Sequence, residues 1–150
     1  MGIRYDELDL NLSMVKITAK YEGQLHCQVI HEPSGCHLHT DAPVDNKGRG
    51  ESFSPTDLCA TAFATCMATI MGIHAEKLGV DLKGMKVEVT KEMSVDMPRR
   101  IVRLPVEFWI PGKVTEAHKV ALIHAAKTCP VYYSLNPNID KPICFHWVDV

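Results

Sequence analysis

The sequence predicts an α+β fold, on three observations. Alternating apolar and polar residues recur in pairs of short runs joined by tight turns, the period of half-buried strands. One stretch, Pro55 to Leu78, runs 24 residues with only Gly72 to interrupt it, and reads as a single helix of about 36 Å. Strands, a helix, more strands and more helices follow one another in blocks, which argues against repeated βαβ winding. With 150 residues and no internal repeat, the expectation is one domain over residues 14–150, preceded by an N-terminal extension over residues 1–13.

Each element has its own local reason. Val15, Ile17 and Ala19 alternate with Lys16, Thr18 and Lys20. Glu22-Gly23 signals a turn, and Gln24 to Ile30 returns as a second strand. Pro33-Ser34-Gly35 turns the chain into a third strand, Cys36 to Thr40. Residues 41–53, with Pro, Asx and Gly, form a loop that carries Arg49 and Glu51. Ser54 caps the long helix, Pro55 sits at its first position, Asp57 lies in its first turn, and Gly79 ends it. Its Ala, Thr and Cys on nearly every face predict a central, close-packed helix. Met85 to Val95 and Val102 to Ile110 alternate as a hairpin, and Pro105 suggests that the second strand is an edge. Thr115 caps a second helix with Ala117, Val120, Ala121 and Ala125 inward. Pro130 ends it and opens a short one, Val131 to Leu135, and Lys141 to Val150 closes as a strand.

Composition excludes several classes. Sixteen Lys/Arg against eighteen Asp/Glu give a net charge of −2 without a run of one sign, so no nucleic-acid or anionic-lipid partner is expected. No apolar run has the length of a membrane span, and residues 1–13 are too acidic for a secretory leader, so a reducing cytoplasmic location is expected. Six cysteines are then free thiols by default, and any disulfide among them is a catalytic one.

Cys59 and Cys66 share a helix face about 10 Å apart along its axis, too far to bridge each other. Burial as a small core residue is the plain expectation for Cys59. Cys129 precedes Pro130 at the N-cap of the short helix, where free N–H groups and the helix dipole favour thiolate; a packed junction cysteine is the other reading. His26, Cys27, His31, Cys36, His37 and His39 cluster near the N-terminus but lack the paired spacing of a zinc site, so no metal or other cofactor is expected.

The run Ser54-Pro55-Thr56-Asp57-Leu58-Cys59-Ala60-Thr61-Ala62-Phe63-Ala64-Thr65-Cys66-Met67, with Cys129-Pro130-Val131 later in the chain, resembles the OsmC/Ohr family of organic hydroperoxide-detoxifying thiol proteins. The resemblance covers Met14 to Val150. It implies an OsmC-like fold with antiparallel sheets around the long helix, and an intertwined homodimer. It also implies a cofactor-free thiol peroxidase whose substrate is a small organic hydroperoxide. Cys66 matches the peroxidatic position and Cys129 the resolving one, with an external dithiol as reductant. The family's peroxidases place an Arg in the loop before the helix and a Glu after its first Pro. Here Thr56 follows Pro55, and ungapped counting puts Asn46 at the Arg position; Arg49, oriented by Glu51 or Asp57, is the substitute. Phe53, Phe63, Met67, Tyr132 and Tyr133 are candidates for an apolar lining. The alternatives are a non-catalytic dimer that binds a small apolar ligand, favoured by the missing Glu, and a metal-binding module built on the N-terminal His/Cys cluster.

Overall fold

The computed structural model describes residues 14–148; the extension 1–13 and the last two residues of the closing strand, 149–150, lie outside the described residues. These fall into two compact units, one ending at Ser54 and the other beginning at Pro55.

The N-terminal unit is an antiparallel meander of β1 (Ile17–Gly23), β2 (His26–His31) and β3 (Cys36–Asp41). The turn falls two residues later than the Glu22-Gly23 signal. Gln24 and Leu25 both take positive φ, 53° and 63°, the conformation of a type I′ hairpin whose twist matches its strands. A bulge between Tyr21 and Gly23 leaves Glu22 out of the regular register. The apolar face expected to be half-buried is instead exposed along Met14, Val15, Ile17 and Tyr21. After β3 a short 3₁₀ turn, Val44–Asn46, leads into the predicted loop. Gly48 is obligatory there, because a Cβ would stand 1.6 Å from the Ala42 carbonyl oxygen.

The second unit opens with α1 (Pro55–Leu78), which has the predicted bounds. Gly79 at φ 67° turns the chain, with Val80 N–H donating to the Ala75 carbonyl at 2.9 Å and Gly79 N–H to Glu76 at 3.3 Å. These paired bonds satisfy carbonyls that the helix end would otherwise orphan. One side of α1, Ala60, Phe63, Ala64, Met67, Met71 and Ala75, is buried. By length and composition α1 could also cross a membrane. It is not close-packed all round: Cys59, Ala62, Thr65, Thr69 and Ile73 are exposed. Thr61, Thr65 and Thr69 each donate their hydroxyl to the carbonyl four residues back, at 2.7–2.9 Å. Thr65 and Thr69 therefore present mainly methyl groups outward.

The strands β4 (Lys86–Val89), β7 (Val106–Pro111) and β8 (Ile143–Val148) form one sheet in that order, and β5 (Glu92–Met93) pairs with β6 (Ile101–Arg103) in another. Two expectations need correction. Pro105 does not mark an edge within one long strand; it divides β6 from β7, and β7 is the central strand of its sheet. Lacking an N–H, Pro105 cannot serve a ladder on both sides, yet its carbonyl still accepts from Thr90 at 3.0 Å. The sheets are antiparallel except for β7 and β8, which run parallel. Their link contains both remaining helices, α2 (Glu116–Ala126) and α3 (Pro130–Ser134), and a crossover of that length is what parallel pairing requires.

Thr115 caps α2 as expected, its hydroxyl accepting from His118 N–H at 3.3 Å. The buried face, however, is Leu122, Ala125 and Ala126, while Ala117 and Val120 are exposed. Apolar residues lie all round this helix, so periodicity alone did not select the face. With α1, β7, Leu104 and Cys129 these residues make one core, flanked by Val131, Tyr132 and Phe145. Arg103 ties the second sheet to the chain after α3, donating to Glu92 at 2.7 Å and to Asp140 at 2.8 Å.

Candidate functional site

Cys66 lies midway along α1, partly exposed, beside the buried Phe63 and Met67. Cys129 is fully buried at the N-cap of α3, where Pro130 fixes the first turn and Tyr132 N–H donates to its sulfur at 3.2 Å. The structure brings these two thiols together across 63 positions of sequence, with Cys66 packed against the core that holds Cys129 and close enough to act on its ionisation. Tyr132 packs against Phe63 with ring centres 6.0 Å apart, joining α3 to α1 beside the pair. Of the other lining candidates, Phe53 and Tyr133 are exposed.

The electrostatics reverse the local reading of Cys129. Burial pushes its thiol above the ordinary value, against the lowering influence of the Tyr132 and Val131 N–H groups, and the neighbouring Cys66 side chain adds to the rise. A short helix supplies little dipole, and desolvation of the thiolate wins. Cys129 is therefore held as a thiol. One consequence is measurable. An unfolded Cys129 loses its proton near the ordinary 9.0, below the native value. Between those two values the unfolded chain binds fewer protons, so stability falls as pH rises, and below them this contribution is constant. Denaturant unfolding between pH 7 and 10.5 is expected to show a steeper alkaline loss for the parent than for Cys129→Ala; equal slopes would contradict it.

The remaining residues singled out from sequence make the following contacts within their own units. Asp57 pairs with Lys91 at 2.6 Å, and the same ammonium donates to Thr56 Oγ1 at 2.9 Å. Sequence reasoning missed Lys91; it follows the end of β4, and no local pattern marks it as a partner of the α1 start. In the N-terminal unit Arg49 donates to the Gln24 side-chain oxygen, and Glu51 N–H donates to Asp41 at 3.0 Å. Arg49 and Glu51 both line one cleft there, with Glu22, His26 and Asp41. Cys59, expected in the core, is exposed, as are Cys36 and Cys144; Cys27 is half-buried. On the same side of α1, Cys59 is exposed and Cys66 is half-buried.

Comparison with known proteins adds to this picture. The family described as OsmC-like protein matches residues 48–141. The chain is similar to a protein of Psychrobacter arcticus 273-4 assigned to the osmotic stress induced and detoxification response. The two are 39% identical over 90% of this chain and 98% of that one, with a TM-score of 0.84. Its fold is also similar to an organic hydroperoxide resistance protein from Elizabethkingia anophelis, at 17% identity, TM-score 0.73, covering 91% and 98% of the two chains. A third similar structure is the organic hydroperoxide resistance protein OsmC of Legionella pneumophila, at 18% identity, TM-score 0.69, covering 90% and 98%. Among curated proteins there is no significant match. The long helix with its midpoint cysteine, the Cys-Pro helix start and the family match over more than half the sequence agree: this chain belongs to the OsmC-like protein family.

Proposed function

We propose that the chain is a two-cysteine thiol peroxidase that reduces organic hydroperoxides, with Cys66 as the attacking thiolate and Cys129 as the resolving thiol. The observation that carries this reading is the placement of partly exposed Cys66 against the core that holds buried Cys129, near enough to act on its ionisation. A binding protein needs neither thiol, and a structural cysteine needs no second one against it.

The chemistry balances with these two side chains. Cys66 thiolate attacks one peroxide oxygen, an S–O bond forms and the O–O bond breaks. The peroxide takes two electrons, and the alkoxide leaves and is protonated to the alcohol. Cys129 sulfur then attacks Cys66 sulfur; the S–S bond forms, the S–O bond breaks, and the hydroxyl leaves with the thiol proton as water. An external dithiol reduces the disulfide in a reducing cytoplasm, and no metal or organic cofactor enters the cycle. Phe63, Met67 and Tyr132 around the pair support an alkyl or aryl hydroperoxide over hydrogen peroxide.

Mass spectrometry of the reduced protein after one equivalent of organic hydroperoxide tests the reading. The expected products are a Cys66–Cys129 disulfide in the parent and a persistent Cys66 sulfenic acid in Cys129→Ser. Cys59 is an internal control, being more exposed on the same helix face. Oxidation of Cys66 no faster than that of Cys59 would end the peroxidase reading. It would favour the second one, a non-catalytic OsmC-like dimer holding a small apolar ligand, for which the Thr56–Lys91 contact in place of a Glu is the supporting observation.

The homodimer is part of the same proposal. The uncovered face of α1 and the exposed Met14, Val15, Ile17 and Tyr21 of the first strand are apolar surfaces that a second copy would bury. Sedimentation of the reduced protein at micromolar concentration should give twice the chain mass. A monomer under those conditions contradicts this part of the reading.

A further inference from the structure

Outside the thiol pair, the densest group of potential ligands lies at the tip of the N-terminal meander. Glu22, His26 and His39 each place a donor atom within 4.8 Å of the others. Backbone register explains why. His26 is directly opposite Asp41, and His39 lies two residues before Asp41 on β3, so all three side chains share one face of the sheet. Glu22 occupies the bulge beside the hairpin turn, which re-aims its side chain toward His26. His26 Nε2 stands 3.9 Å from Glu22 Oε2, while its other nitrogen, Nδ1, faces Asp41 Oδ1 at 3.7 Å.

From this we infer that Glu22, His26 and His39 bind a divalent transition-metal ion such as Zn²⁺, with Asp41 as the positioning residue behind His26. Two imidazoles and one carboxylate form the donor set of an open tetrahedral site, which leaves a fourth position for water or a small ligand. Two imidazoles on one tetrahedral ion, with nitrogen–metal bonds of about 2.0–2.1 Å, keep their ring centres roughly 5 Å apart. The His26 and His39 rings are stacked, 5.3 Å between centres and 18° between planes, so the exposed His39 ring must turn to aim its lone pair at the same ion. Donor atoms on such an ion stand about 3.3 Å from one another. The group closes to that spacing by rotation of Glu22 and His39, both exposed side chains. Asp41 is 2% exposed, and its second oxygen is fixed by Glu51 N–H at 3.0 Å. A buried, anchored carboxylate behind a ligand histidine sets the ring's orientation and tautomer. The field also suits a cation. The cleft of about 340 Å³ beside the cluster is lined by three carboxylates, Glu22, Asp41 and Glu51, against the single guanidinium of Arg49. The sequence shows no zinc spacing because the donors come from a bulge, a strand start and a neighbouring strand, and strand pairing alone brings them together.

Titration of the reduced full chain with Zn²⁺ against a competing chelator, and with Co²⁺ followed by absorption, tests the site. The expected result is one equivalent bound per chain. Bound Co²⁺ should show visible bands of nitrogen and oxygen ligation and no thiolate charge-transfer band. His39→Gln should weaken Zn²⁺ binding at least about 100-fold, and Asp41→Asn about 10–100-fold, the usual cost of losing the partner of a ligand histidine. Cys36→Ser, on the opposite face of β3, and His37→Gln, two positions from His39 on the same face but outside the donor group, should leave binding unchanged. His39 is exposed, so its variant reports on binding and not on folding. No saturable binding, an affinity indifferent to His39→Gln, or a thiolate band would overturn the assignment. Peroxide reactivity of Cys66 is a separate readout, so either proposal can fail alone.

Discussion

Replacing Cys66 with Ser is expected to lower turnover of an organic hydroperoxide by about three orders of magnitude or more, measured as peroxide consumed in the presence of excess dithiol. A serine hydroxyl is almost wholly protonated at neutral pH and a poor nucleophile toward an O–O bond, so the loss is of the reacting atom itself. The substitution is nearly isosteric at a partly exposed position, and the thermal midpoint should move little. Cys129→Ser separates the two half-reactions. It keeps the first oxidation of Cys66 and loses the disulfide, so a burst of about one equivalent of peroxide consumed is expected, followed by a slow phase. Retention of steady turnover in Cys66→Ser would move the chemistry to another thiol. Retention in Cys129→Ser would mean that the external thiol resolves Cys66 directly.

Truncating Phe63 to Ala should cost about 3–5 kcal/mol of stability, the usual range for a fully buried ring. Phe63 is 0% exposed, between Met67 and the core on one side and the Tyr132 ring on the other. Its loss removes the packing that joins α1 to α3, and with it the positioning of Cys66 against Cys129. Slower disulfide closure after peroxide oxidation should therefore accompany the lower denaturant midpoint. Phe63→Leu refills most of the space and should recover most of both quantities. A stability change below about 1 kcal/mol in Phe63→Ala would show that the ring is not the packing element described here.

Much of the secondary structure was legible because it is written in near neighbours. Pro55 and Gly79 bound α1 through a fixed φ at one end and a permitted positive φ at the other. Thr115 and Cys129 cap their helices through side chains that reach only three residues on. The pairing of Cys66 with Cys129 came instead from the family resemblance, since nothing in the spacing of six cysteines selects two of them. The misread features were those that depend on distant residues. Pro105 proved to be a divider because Thr90 and Asp140 serve the backbone on either side of it. The inward face of α2 was ambiguous until the core chose Leu122 over Val120.

The sequence by itself determined where the helices begin and end and which residues carry reactive groups, because backbone preference and capping act over a few residues. The state of those groups was decided only in three dimensions. Cys129 looked like an activated thiolate while its neighbours were two N–H groups, and its pKa rose instead once residues tens of positions away excluded water from it. His26 and His39 belonged to a cluster without zinc spacing and Glu22 to a turn signal, until a bulge and a strand register set the three side by side. Desolvation and long-range pairing are properties of the assembled core and sheet, and no local window of the chain contains them.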